Sequence, residues 1–134
     1  MTKTDTIGRS IVDRPLVDDV IAFHSHKQSK HTKGWIYSHA CEQLERNGYG
    51  PEVWPKTLSF LASCDSLDEA QGLQRAGWVT ARVIDRKEDK APNELLCPYD
   101  VQRANKVPAD KRTNCARCRL CYDGKNRNIA FIKF

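Results

Sequence analysis

Between Thr57 and Ile84 the chain alternates strand, helix and strand with almost no residues to spare, and no other feature constrains its fold as tightly. Leu58, Phe60, Ala62 and Cys64 recur at the period of two that lines one face of a strand. Ser66 followed by Glu69 forms a capping box, which starts a helix at Leu67 with Leu67, Ala70 and Leu73 as its inward stripe. Gly77 supplies the left-handed C-terminal cap, and Trp78–Ile84 reads as the second strand. Connections this short require parallel strands and a right-handed crossover.

The flanking sequence extends the pattern. Gly34–Ser38 reads as a strand and His39–Asn47 as a helix ended by Gly48, with a turn over 48–51. Pro15 can open a helix in which Leu16, Val17, Val20, Ile21 and His24 recur at helical spacing. Asn128–Phe134 reads as a last strand, and residues 25–33 and 85–92 read as polar loops. The expected fold is α/β, a small, mostly parallel sheet with flanking helices. Residues 1–14 form a flexible arm in this reading and 15–134 a single domain, within which 95–127 is a cysteine-rich lobe.

That lobe holds Cys97, Cys115, Cys118 and Cys121, three of them in a Cys-x2-Cys-x2-Cys run and the distant one followed by Pro98. Thiolates three residues apart can turn toward one centre, and an outlier can close a four-sulfur cage around zinc or an iron–sulfur cluster. Disulfides explain the triplet poorly, because cysteines three apart are crowded and the third would need the outlier. The triplet with a Cys-Pro favours a [4Fe–4S] cluster, although here the Cys-Pro comes first. Zinc is the alternative, and a site without metal stays open. Cys41 and Cys64 read instead as core residues.

Charge is uneven along the 134 residues. Nine basic groups stand against two acidic ones in 101–134, a local +7, which leaves −2 of the chain's net +5 for residues 1–100. A basic lobe on a slightly acidic body points to a polyanionic partner. The competing explanation is local, since four thiolates around zinc or a four-iron cluster carry about −2, and Arg117 and Arg119 among the ligands can offset it. Lys106, Lys111, Arg112, Lys125 and Arg127 lie off the triplet, are freer to face outward, and are the candidate partner contacts.

Apolar runs fall well short of the ~20 residues that span a bilayer, so a cytoplasmic protein without membrane contact is expected. No nucleophile elbow, phosphate-cradling glycine loop, His-Glu-x-x-His or paired carboxylates occur, which argues against an enzyme. His24, His26 and His31 fit a solvated basic loop better than a metal site. His39 stands at a strand-to-helix junction, and Asp65 at the carboxyl end of a strand, where α/β proteins place functional groups. For Asp65, a helix-capping role competes.

Several segments resemble those of one known family. Leu95-Leu96-Cys97-Pro98, Asn114 through Tyr122 with its three cysteines, and Asn128 through Lys133 resemble the C-terminal signature of the gene-product-eighty-eight type of phage and plasmid proteins. Gly34 through Ala40, Trp54-Pro55, Leu61 through Ser66 and Ala76 through Val83 are also similar to that group. The resemblance spans residues 34–134, and its most specific part is the cysteine block. It implies a mobile-element origin and the four-cysteine site, without naming a reaction. Longer members carry further βα units and a second cysteine group near the N-terminus, so this chain resembles a shortened member.

The function expected is a non-catalytic metal-binding protein of a phage or mobile element. It would engage nucleic acid or a host nucleoprotein complex, with inhibition of a host defence system as one form. The alternatives are an iron–sulfur redox or radical accessory protein and a protein–protein adaptor with a purely structural metal site.

Overall fold

A computed structural model of the chain describes residues 2–4, 10–26, 34–121 and 127–133; His31, Lys125 and Phe134 lie outside them. Strands β1 (Thr2–Thr4) and β2 (Ser10–Val12) lead into helix α1 (Arg14–Ser25). Then come β3 (Gly34–Ser38), α2 (Cys41–Arg46), β4 (Leu58–Cys64), α3 (Leu67–Arg75) and β5 (Val79–Ile84). The C-terminal part holds β6 (Glu94–Leu96), α4 (Pro98–Ala104), the single turn α5 (Cys115–Cys118) and β7 (Asn128–Ile132).

The molecule is α/β, with a five-stranded sheet in the order β3-β4-β5-β7-β6 in which every pair is parallel. The arm expected over 1–14 is not simply loose, because β1 and β2 pair antiparallel with Thr2 opposite Val12. Asp13 then caps α1, its carboxylate accepting from the Leu16 N–H. Further departures are β6, α4 and the single turn α5, none of which the sequence reading anticipated.

Both faces of β4 are buried, as a central parallel strand requires. On one face Leu58, Phe60 and Ala62 pack with Val17 of α1, Cys41 and Leu44 of α2, and Trp54 and Trp78. Phe60 stacks between the two indoles at centroid distances of 4.3 and 5.3 Å. Further along that face, Ile84, Ala130 and Ile132 meet Val101 of α4. On the opposite face a smaller core of Leu61, Ala81 and Ile129 receives Cys97, Leu120 and Cys121. The cysteine lobe and the helices α1–α3 therefore sit on opposite faces of the sheet.

Two local devices set the crossover. The Ser66 hydroxyl accepts from the Glu69 N–H at 3.1 Å, while the Glu69 carboxylate reaches back to the Asp65 N–H at 3.0 Å. Gly77, at φ +99°, closes α3, and a Cβ there would stand 3.1 Å from Pro51 Cγ.

β6 is held by a buried ion pair. Arg82 Nε and Nη2 donate to the two carboxylate oxygens of Glu94 at 3.0 and 2.6 Å, and the Ala91 N–H adds a third bond to Glu94. The pair reaches across β7, where the fully buried Ala130 lies in register with Arg82 and leaves space for the guanidinium to pass. Burial raises the Glu94 pKa, but the Arg82 and Ala91 hydrogen bonds outweigh it and hold it below the usual carboxylate value. Among the described residues, no helix is long and apolar enough to cross a membrane.

Candidate metal centre and the sheet face beside it

β6 ends one residue before Cys97, whose N–H continues the ladder by donating to the Ala130 carbonyl at 3.0 Å. Cys97 is also the N-cap of α4, and Pro98, which needs no N–H partner, occupies the first helical position. Asp100 Oδ2 accepts from the Ile132 N–H at 2.9 Å, and Arg103 donates to the Ile132 carbonyl at 2.8 Å, so α4 clamps the end of β7. The first of the four cysteines is thereby fixed on the sheet.

The other three arrive on a short built turn. The Asn114 side chain accepts from the Arg117 N–H at 3.0 Å and starts α5, placing Cys115 and Cys118 one helical turn apart. Arg119 takes the left-handed conformation, φ +60°, with its side chain bonded to the Ala116 carbonyl, and reverses the chain toward Cys121. Cys97, Cys115, Cys118 and Cys121 then line a single cavity of about 60 Å³, walled by Trp35, Tyr37, Leu120 and Phe131. All four are free thiols. Among the described residues, no three or more His, Cys, Asp or Glu side chains stand close enough together to hold a metal ion. The fold gathers the four sulfurs around one cavity without drawing them into a finished cage.

The donor set is consistent with a soft metal. The cavity contains four thiols and no carboxylate or imidazole, which suits zinc or an iron–sulfur cluster and not calcium or magnesium. Burial raises the Cys97 pKa, partly opposed by the Asp100 and Tyr99 N–H groups at the start of α4. Tyr37 stands beside the centre. Burial, a hydrogen bond with Cys121, and the charges of Cys121, Cys115 and Cys97 all push its hydroxyl pKa up.

The basic residues divide. Lys106, itself left-handed at φ +59°, and Lys111 are exposed. Arg112 differs from expectation: it is half-buried, donates to the Val107 carbonyl at 2.8 Å and lies over the Tyr99 ring at 5.6 Å. Arg117 and Arg119, expected to be less outward, are both exposed, and Arg127 is half-buried. Cys41 and Cys64 are core thiols, raised by burial to about 12 and about 11. The His24 ring packs against Gly34.

Sequence reading missed the aromatic residues of this face. Trp35 and Tyr37 alternate on β3, pointing away from the helices, and are 39% and 40% exposed; Tyr99 beside them is 37% exposed. Tyr37 meets Phe131 of β7 edge to face at 6.0 Å. The signal was the period-two Trp-x-Tyr, legible only once Ile36 is known to face the core.

No family model matches the chain, and neither the curated proteins nor the solved structures offer a match.

Proposed function

We propose that this is a non-catalytic protein whose C-terminal lobe is organised by a thiolate-bound metal and binds single-stranded nucleic acid across the adjoining sheet face. The observation that carries the reading is the placement of the cysteine cavity. It opens beside Trp35, Tyr37 and Tyr99 with Arg119 on its wall, and the C-terminal lobe that forms it also exposes Lys106, Lys111 and Arg117. Aromatic faces stack bases without regard to sequence, and neighbouring cations follow the phosphates. A duplex fits this surface poorly, because its bases are already stacked. The resemblance of several segments to phage and plasmid proteins supports an origin on a mobile element, where the strand could belong to a host nucleoprotein complex.

The test is binding of a short oligothymidine strand at several salt concentrations. Reversing Lys106 and Lys111 to Glu together should weaken binding and reduce the log–log salt slope by about 0.7 per lost phosphate contact. Metal content and melting temperature should not change. A double variant that binds with unchanged affinity and slope would leave the basic groups as charge compensation, and the adaptor reading would take first place.

A further inference from the structure

A second and larger opening lies on the same face, at the carboxyl ends of β3, β4 and β5. It measures about 360 Å³ and is lined by Tyr37, His39, Ser63, Asp65, Val83 and Phe131, among others. Its position is informative in itself. The chain passes from β3 through β4 to β5, skips one place to β6 at the edge, and returns to fill β7. Open parallel sheets take their ligands in crevices at the carboxyl ends of the strands, and this opening lies at three of those ends. The volume falls in the range of small-molecule sites, roughly 300 to 1,000 Å³.

The polar groups here are unspent. The capping role that competes for Asp65 belongs to Ser66, and Asp65 enters the cap only through its backbone N–H. The Asp65 carboxylate, the His39 ring and the Ser63 hydroxyl have no hydrogen-bond partner among the described residues, and Asp65 and His39 are exposed. Tyr37 and Phe131 wall both this opening and the cysteine cavity, so the two adjoin along one aromatic edge. A flat apolar ligand with hydrogen-bond donors on its rim matches this arrangement.

Among the standard bases only one offers a carboxylate what it needs. A carboxylate presents two acceptor oxygens side by side and pairs best with two parallel N–H donors. Guanine places N1–H and the N2 amine next to each other. Adenine and cytosine set a donor beside an acceptor, and thymine flanks its single N–H with two carbonyls. We propose that the opening takes an unpaired guanine, its ring against Tyr37 and Phe131 and its N1 and N2 groups on the Asp65 carboxylate. Ser63 or His39 would then donate to O6. The inference rests on the single-strand reading and specifies which base that surface selects.

The experiment compares binding of an oligothymidine strand with strands carrying one central guanine, inosine, adenine or cytosine. Guanine should improve affinity by roughly tenfold over the plain strand. Inosine, which lacks the N2 amine, should recover part of the gain, and adenine and cytosine none. Asp65→Asn should abolish the guanine preference while the plain strand binds as before with the same salt slope and the melting temperature holds. Free guanosine monophosphate should compete weakly; competition at the affinity of the guanine strand would reassign the opening to a nucleotide. Equal binding of all strands, or a guanine preference that survives in Asp65→Asn, overturns this inference and leaves the single-strand reading standing. A wild-type protein that binds no strand even at low salt overturns both.

Discussion

Arg82 and Glu94 show how far one pair of residues reaches. Glu94 is 1% exposed, so removing its cation leaves a buried charge, which typically costs about 3–5 kcal/mol. Arg82→Met should therefore destabilise strongly, whereas Arg82→Met with Glu94→Leu should recover much of the loss. Denaturant unfolding checks this, and a double variant as unstable as the single one would contradict it. The pH dependence follows from the lowered pKa of Glu94. The pair's contribution is complete above the unfolded value of about 4.3 and is lost as pH falls through the lower folded value. Acid should accordingly cost the wild type stability that the double variant no longer has to lose.

The six cysteines differ at the same scale. With pKa values raised by burial to about 12 and about 11, Cys41 and Cys64 stay protonated at pH 8. Alkylation of the native protein should spare both, and denatured protein should be modified at all six positions, as read by peptide mass spectrometry. Modification of native Cys41 or Cys64 at the rate of an exposed thiol would move them out of the core.

Among the elements, α3 carries the most direct local test. Ser66→Ala removes the hydroxyl that accepts from Glu69 and should cost about 1 kcal/mol. Gly77→Val should cost more, because a branched side chain resists φ +99° and its Cβ would crowd Pro51. Thermal melts that show neither change would contradict these boundaries. β4, α3 and β5 were legible in the sequence because period, cap and glycine agree there, and every signal lies within thirty residues of chain. β6 was not legible. Three residues give no period, and nothing in the sequence marks Glu94 as a core residue until Arg82 is found across β7. The start of α4 was hidden for a related reason: Cys97-Pro98 draws attention as a ligand motif, although Cys97 is also a helix N-cap. Asp65 illustrates the converse. The sequence left a capping role open to its carboxylate beside the Ser66–Glu69 box, and the structure gives the cap to the Ser66 hydroxyl alone.

In the molecule as a whole, the sheet separates two unlike faces. Its helix-covered face carries the larger core, and the opposite face carries the cysteine cavity, the exposed aromatics and the opening at Asp65. The lobe rests on that second face through only a small apolar core of Leu61, Ala81 and Ile129, with Leu120 packed against it. Burial of that size holds a loop-rich segment weakly, so a metal shared by four thiolates is the device that would fix it. The four cysteines should then behave as one unit, each being necessary for metal retention, while Cys41→Ser and Cys64→Ser keep the metal.

The most direct test is metal analysis, with a visible absorption spectrum, of anaerobically purified wild type and Cys97→Ser. Wild type should hold one centre per chain, either iron with a broad visible band or a single colourless zinc, and Cys97→Ser should hold none. A metal-free wild type, or a Cys97→Ser protein with full stoichiometric metal, would contradict the account.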